Sequence, residues 1–136
     1  MIRLIDLLKE NTNLNKLAST VADKVNCDYK GSCVGFAELF VLAAYKEDPK
    51  LLDTFDVIEG YVMENGRKLQ HTWIETKSGQ KIDPTFAQFK DGSEYSSQVK
   101  SRYGGKKYFN DTIKFNKLDI DNIDTNRMTV GKWYKK

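Results

Sequence analysis

The sequence predicts an α+β fold for a single domain covering residues 1–136, with helices first and an antiparallel sheet after them. Three observations lead to this prediction. Apolar residues recur at three- and four-residue steps up to residue 45, as in helices, and from residue 55 they are spaced as in strands. Asn65-Gly66 is a strong hairpin signal between two such strands. A chain of 136 residues with 40% hydrophobic residues can bury a core without a metal or a disulfide.

The N-terminal region has the apolar spacing of two short amphipathic helices. The first covers residues 2–8 and the second residues 14–25, because their apolar side chains recur along one helical face. The polar stretch Asn11–Asn13 is predicted to separate them. Charged residues interrupt residues 1–10, which argues against a signal peptide or a membrane span, and we expect a cytoplasmic protein.

The next helix is predicted to be buried on most sides. Residues 33–45 are apolar or small apart from one charge, Glu38. Ser32 is the predicted N-cap, and Asp48-Pro49 lies just beyond the expected end of the helix. This helix carries Cys33 in its first turn.

A strand from Phe55 and a second strand after Asn65-Gly66 are predicted to form the hairpin. In the second strand Leu69, His71 and Trp73 share one face, while Lys68, Gln70 and Thr72 share the other. The only histidine of the chain therefore lies on the apolar face, which we expect to point inward.

A third, short strand is expected from Gln80 to Asp83, where Pro84 ends it. The connection sets the register. A two-residue turn at Ser78-Gly79 would turn Asp83 away from His71, whereas a three-residue loop, residues 77–79, pairs Trp73 with Asp83. In the second register the Asp83 carboxylate lies diagonal to His71, at roughly 7 to 8 Å between backbone positions.

The pattern is weaker in the rest of the chain. Residues 95–103 are predicted to be helical, residues 107–115 to form a strand, and residues 119–127 to form a polar loop.

Cys33, His71 and Asp83 stand where a cysteine-based acyl-transfer site needs them. A helix N-terminus and a neighbouring imidazolium lower the pKa of a thiol and so favour the reactive thiolate. The Cys33 N–H is one of the unpaired donors at the helix start and is a candidate for one half of an oxyanion hole. Gly31 allows close approach of a substrate. One His and two Cys are too few for a common structural zinc site.

The motifs in residues 26–86 resemble the core of the transglutaminase-like superfamily, whose fold belongs with the papain-like cysteine proteases. The resemblance implies a papain-like core with Cys33 as nucleophile, His71 as general base and acid, and Asp83 as the orienting acid. It also implies a second oxyanion donor upstream of the cysteine, for which Asn26 and Tyr29 are the candidates. The matching segments are Gly31-Ser32-Cys33-Val34-Gly35-Phe36-Ala37, Glu59-Gly60-Tyr61, His71-Thr72-Trp73-Ile74-Glu75 and Asp83-Pro84-Thr85.

The resemblance implies an enzyme acting on amide bonds of a protein or peptide. We expect no cofactor and no metal. Peptidase, amidase, deamidase and transglutaminase chemistry all remain open, with hydrolysis as the default outcome. Trp73 is a candidate wall of the substrate cleft, together with Gly31, or only a packing residue. Cys27 is expected to be structural, with a redox bridge to Cys33 as the alternative.

A second hypothesis is an inactive binding module that uses a basic C-terminal face. Residues 87–136 contain 11 basic and 6 acidic side chains, and several of the basic ones alternate with aromatic residues. That composition is used by grooves for single-stranded nucleic acid, but it is also typical of a solvated strand face and tail. We favour the solvated face and expect no nucleic acid partner. The basic residues concerned are Lys100, Arg102, Lys106, Lys107, Lys132, Lys135 and Lys136.

Overall fold

The structure of the protein is a computed structural model that describes residues 4–113, with the side chains of residues 13–96 and 100–113. In this part of the chain two long helices precede a four-stranded antiparallel sheet of order β3-β2-β1-β4, which confirms the α+β class. The elements are α1 (Leu4–Ala22), α2 (Ser32–Glu47), β1 (Phe55–Glu64), β2 (Arg67–Thr76), β3 (Lys81–Ile82), β4 (Glu94–Gly104) and α3 (Gly105–Tyr108), with 3₁₀ turns at Pro49–Asp53 and Pro84–Gln88 and a π-helical turn at Phe109–Ile113.

No helix among residues 4–113 has the length and apolar character that crossing a membrane requires.

The N-terminal region forms one helix rather than two. Helix α1 runs without interruption through Asn11–Asn13, so the predicted break there is wrong. These residues cost helix stability only by fractions of a kcal/mol each, about 0.7 at most, and none of them is Gly or Pro. The buried residues Leu14, Ala18 and Val21 then dock the helix on the core.

Helix α2 is buried as predicted, but its N-cap is Gly31 and not Ser32. Gly31 has φ 89° and makes no side-chain cap, so the chain enters the helix through a left-handed residue that glycine adopts without strain. The Ser32 hydroxyl is instead buried and donates to the Cys27 carbonyl at 3.4 Å. The helix ends at Glu47, and Pro49 starts the following 3₁₀ turn, as the sequence indicates.

The β1-β2 hairpin is confirmed together with its turn. Asn65 and Gly66 both have positive φ, 51° and 77°, as a type I′ turn requires. The register that this turn sets places Gly60 of β1 directly opposite His71 of β2.

The connection from β2 to β3 is the predicted three-residue loop. The Thr76 N–H donates to the Gln80 carbonyl at 2.9 Å, and Gly79 has φ 91°. Ile74 pairs with Ile82, and the same register carried one step further places Trp73 opposite Asp83.

Both predictions for the last part of the described chain are wrong. Residues 95–103 lie in strand β4, which pairs with the free edge of β1, and residues 105–113 form helical turns instead of a strand. In the first case, pairing with β1 outweighs the weak local preference of residues 95–103 for a helix. In the second, Tyr108, Phe109 and Ile113 are buried at helical spacing. The loop predicted for residues 119–127 lies outside the described residues.

Strand β2 is buried on both faces from His71 to Ile74. The burial of Thr72 differs from the prediction, because the alternating pattern places it on the polar face with Lys68 and Gln70. On one face Ile74 belongs to the main apolar core with α1, α2 and Val57 of β1. The other face carries His71 and Trp73, each 2% exposed, which pack outside that core. The sheet thus separates an apolar core from a second buried layer that contains the histidine.

Candidate active site

Helix α2 delivers Cys33 to the wall of an open cleft. Cys33 lies in the first turn of the helix and is 7% exposed, with its neighbours held in place by the buried Phe36 and Ala37. The cleft has a volume of about 330 Å³. It is lined by Gly31, Cys33, Val34, Glu59, Gly60, Gln70, His71, Thr72 and Lys100.

Strand β2 brings His71 to the same cleft and buries its ring. The His71 side chain has no exposed surface, and its Nε2 lies 2.6 Å from Oδ2 of Asp83. Gly60 stands opposite His71 on β1 and has no side chain to cover the imidazole.

Asp83 stands directly after β3, and its buried carboxylate accepts three hydrogen bonds. Oδ2 accepts from Nε2 of His71 at 2.6 Å and from the Tyr95 hydroxyl at 2.6 Å. Oδ1 accepts from the Thr85 hydroxyl at 2.9 Å. With both oxygens engaged and only 3% of the side chain exposed, the carboxylate has one fixed orientation toward the imidazole.

The charges of the site favour a thiolate and an imidazolium. Burial alone would lower the pKa of His71, but the hydrogen bonds and charges of Asp83 and Cys33 raise it to about 9. Burial alone would raise the pKa of the Cys33 thiol, yet the hydrogen bond and charge of His71 and a bond from the backbone of Thr72 bring it below its ordinary value. The two groups titrate as a coupled pair that exchanges one proton.

The imidazole nitrogen left for this exchange is Nδ1. Nε2 bonds Asp83, so the buried Nδ1 is the ring nitrogen that remains for the interaction with the Cys33 thiol. An imidazole fixed in this way can take the thiol proton at Nδ1 and return it to a departing group.

The candidate oxyanion donors occupy different places. No described residue accepts a hydrogen bond from the Cys33 N–H, which remains a donor at the helix start. Asn26 and Tyr29 lie in the turns before α2 and are not among the residues that line the cleft. Gln70, next to His71, does line it and carries amide donors that the sequence reading passed over.

Trp73 packs behind the histidine instead of lining the cleft. Its ring stacks on His71 with 5.8 Å between centroids, and its Nε1 donates to Glu75. Phe89 meets the same imidazole edge-on at 4.9 Å. These rings fix the plane of His71 and exclude water from the side that faces Asp83.

Gln88 joins the cysteine-bearing and the aspartate-bearing parts of the site, and the sequence analysis did not predict this role. Its Oε1 accepts from the Gly31 N–H at 2.9 Å, and its Nε2 donates to the Thr85 carbonyl at 3.0 Å. One side chain therefore ties the N-cap of the cysteine helix to the turn that follows Asp83. A Gln four residues after Asp83-Pro84 carries no local signal for this role.

An irregular stretch of β4 presents Lys100 to the cleft. Ser101 pairs with Glu59 and Val99 with Gly60, so Lys100 is the extra residue of a bulge. Glu59, on the cleft wall, accepts a hydrogen bond from the Ser101 hydroxyl at 2.8 Å.

Both cysteines are free thiols. Cys27 is half-buried, and its Sγ lies 3.8 Å from the Ala22 carbonyl. In the described part of the chain no group of three His, Cys, Asp or Glu side chains is arranged to hold a metal ion.

Some of the C-terminal basic residues are already paired. Arg102 binds Asp56 and Glu75, and Lys107 binds Asp111. Lys132, Lys135 and Lys136 lie outside the described residues.

Comparisons with protein-family models, with curated proteins and with solved structures found no match. The function proposed below therefore rests on the geometry and electrostatics of the site and on the motifs in the sequence.

Proposed function

We propose that the protein is a cysteine-dependent acyl-transfer enzyme that acts on amide bonds. One observation carries the proposal: His71, fully buried, bonds Asp83 through Nε2 at 2.6 Å and lowers the pKa of the Cys33 thiol in the same cleft. A nucleophile, a base and an orienting acid within reach of one another are the groups that covalent acyl transfer requires.

The reaction proceeds in two steps on these residues. The Cys33 thiolate attacks the amide carbonyl carbon and forms a C–S bond, while the carbonyl oxygen gains negative charge near the Cys33 N–H. The C–N bond then breaks, and the imidazolium gives its Nδ1 proton to the departing amine. In the second step a water molecule attacks the thioester, Nδ1 takes its proton, and the C–S bond breaks to release the acid and the thiolate.

Hydrolysis is the outcome that we propose, because the cleft is open to water beside Cys33. An amine that replaces water in the second step would give transfer instead, by the same residues. The motifs that resemble the transglutaminase-like superfamily support a papain-like core for this enzyme. Gly31 and Gly60 line the cleft without side chains that would obstruct a peptide backbone.

Alkylation tests the proposal with a control inside the chain. Iodoacetamide is reacted with the native protein at pH 6.5, and mass spectrometry follows Cys33 and Cys27 separately. We expect Cys33 to react at least about tenfold faster, although Cys27 is the more exposed, because the thiolate fraction and not exposure sets the rate. His71→Ala should bring Cys33 down to the rate of Cys27, with circular dichroism as the check on folding.

Equal and slow alkylation of the two thiols in the folded wild-type protein would exclude the enzyme. If Cys33 is fast, a peptide library with a mass readout should show amide cleavage that Cys33→Ala abolishes. Products carrying an added amine in place of water would assign transfer to the same site.

A further inference from the structure

The phenol of Tyr95 reaches the buried carboxylate from the far edge of the sheet. Tyr95 belongs to β4, where it pairs with Val62, whereas Asp83 follows β3 at the opposite edge. The Tyr95 hydroxyl nevertheless donates to Oδ2 of Asp83 at 2.6 Å. That is the same oxygen, at the same distance, that accepts from Nε2 of His71.

We propose that Tyr95 is a positioning residue of the site, whose hydroxyl holds the Asp83 carboxylate in the orientation and the charge state that His71 needs. This inference rests on the proposed function and adds a fourth side chain to it. Tyr95 does not touch the reacting atoms and acts through Asp83.

The hydroxyl is a donor throughout the working range of the site. Burial, and after it the charge and hydrogen bond of Asp83, raise the pKa of Tyr95 well above its ordinary value. A phenol that keeps its proton can only donate to an ionised carboxylate. Hydrogen bonds to charged groups are worth about 1.5 to 3 kcal/mol, so this contact stabilises the ionised form of Asp83.

The contact also controls how tightly His71 holds its proton. When His71 is neutral, its Nε2–H still bonds Asp83, but the carboxylate no longer faces a positive charge and depends more strongly on its two hydroxyl donors, Tyr95 and Thr85. Without the Tyr95 hydroxyl that neutral state of the imidazole becomes less favourable, and the imidazolium is retained to higher pH. Tyr95 therefore keeps the imidazolium acidic enough to give its proton to a departing amine.

The ring of Tyr95 is held independently of its hydroxyl, which makes the two roles separable. The ring packs on Trp73 at 4.9 Å and on Phe86 at 4.8 Å between centroids. The Lys81 ammonium lies 5.2 Å from the ring centre, on the side of β3. Tyr95→Phe keeps these contacts and removes only the donor to Asp83.

The test uses the fact that His71 is the only histidine in the chain. Imidazole ¹⁵N chemical shifts of the labelled protein then report one titration, without assignment. In Tyr95→Phe we expect the His71 midpoint to rise by roughly 0.5 to 1 pH unit. The Tyr95 hydrogen bond stabilises Asp83 more strongly when His71 is neutral than when it is charged, and the variant loses this difference. Tyr103→Phe, on the same strand and away from Asp83, should leave the midpoint unchanged.

A second readout joins the titration to the chemistry. In Tyr95→Phe the rising limb of Cys33 alkylation should move to lower pH, because a more stable imidazolium stabilises the thiolate. Turnover of a peptide found by the library screen should fall, by about tenfold at most, because a less acidic imidazolium donates its proton more slowly. A loss of packing alone would slow both reactions and would not move the His71 midpoint upward.

The outcomes separate this inference from the proposed function. If the wild-type protein alkylates Cys33 rapidly but Tyr95→Phe matches it in both profiles, or lowers the His71 midpoint, Tyr95 has no positioning role and the proposed enzyme still stands. If wild-type Cys33 is no more reactive than Cys27, the proposed function itself is overturned, whatever Tyr95→Phe does.

Discussion

From His71 to Ile74 both faces of strand β2 are buried, but the two faces have different roles. On one face Ile74 is fully buried in the apolar core, among the side chains of α1 and α2. On the other face His71 is buried just as deeply, but its neighbours are a carboxylate, a phenol and a thiol. Adjacent positions on one strand therefore belong to two layers with different chemistry.

The difference shows what burial does for each layer. In the apolar layer, removal of surface from water stabilises the fold at about 25 cal/mol per Å². In the polar layer, burial is unfavourable for each charge alone and strengthens the interactions between them, so that the pKa of His71 rises to about 9 and that of Cys33 falls. Substitutions should accordingly divide into those that change stability and those that change reactivity.

The largest expected effect is on the reactive layer. Cys33→Ala should reduce peptide turnover by at least about a thousandfold, because the group that forms the covalent bond is lost. The free energy of unfolding should change by less than about 1.5 kcal/mol, since only one small atom leaves a site beside the cleft. Urea unfolding and turnover of the same preparation measure both quantities. Retained turnover would remove Cys33 from the mechanism.

Ile74→Ala should produce the reverse result. Loss of a fully buried aliphatic side chain costs roughly 2 to 5 kcal/mol, because a cavity remains in the core. At low denaturant, where the variant is still folded, the alkylation rate of Cys33 should stay within about twofold of the wild-type rate. A large change in that rate would show that the two layers are coupled through β2.

The pH dependence of stability gives a third, smaller contrast. His71 has a pKa raised above its unfolded value, so its contribution is complete below pH 6.5 and is lost as the pH rises through about 9. Cys33 acts oppositely, because its pKa is lowered in the folded protein. In Cys33→Ser, which lacks the opposing thiol, the free energy of unfolding should fall between pH 6.5 and 9.5 by roughly 1 to 3 kcal/mol.

Chemical denaturation of Cys33→Ser at the two pH values measures this decrease. The double variant Cys33→Ser with His71→Gln is the matched control and should show a flatter profile. An equal slope in both variants would mean that other groups are responsible.

The smallest expected effect is at the contact between the start of α2 and the turn that follows Asp83. Gln88→Ala removes the side chain that links Gly31 to Thr85, and should cost roughly 1 kcal/mol of stability or less. Alkylation of Cys33 should slow by about two- to fivefold, because the start of α2 is less firmly held against the Asp83 turn. Gln80→Ala, which removes an exposed hydrogen bond to Asn15, is the control and should not change the alkylation rate.

Prediction from sequence succeeded where local chemistry determines the structure. The Asn65-Gly66 turn and the three-residue loop that ends at Gly79 fix two registers through backbone conformation, and those registers bring His71 and Asp83 onto one face. The predictions failed where contacts between residues far apart in the chain determine the structure. The register of β4 depends on the free edge of β1, and α1 continues because its apolar residues dock on the core.

The same distinction applies to the site. The motifs indicate Cys33, His71 and Asp83, since Cys33 stands at a helix start, His71 on the apolar face of a hairpin strand, and Asp83 at a strand end. The helix predicted for residues 95–103 gives no indication that Tyr95 approaches Asp83. The spacing of four between Tyr95, Val99 and Tyr103 fits a helix as well as one face of a strand, so it gives no local signal for this contact.

The three-residue loop between β2 and β3 also has a consequence for the order of assembly during folding. Residues 71 and 83 meet within one short hairpin, and such hairpins form in roughly 1 to 10 μs. Cys33 is separated from this pair by the whole β1-β2 hairpin and joins it only when α2 docks on the sheet. Cys33 is therefore activated only in molecules in which α2 has docked on the sheet, and rapid alkylation of Cys33 marks those molecules.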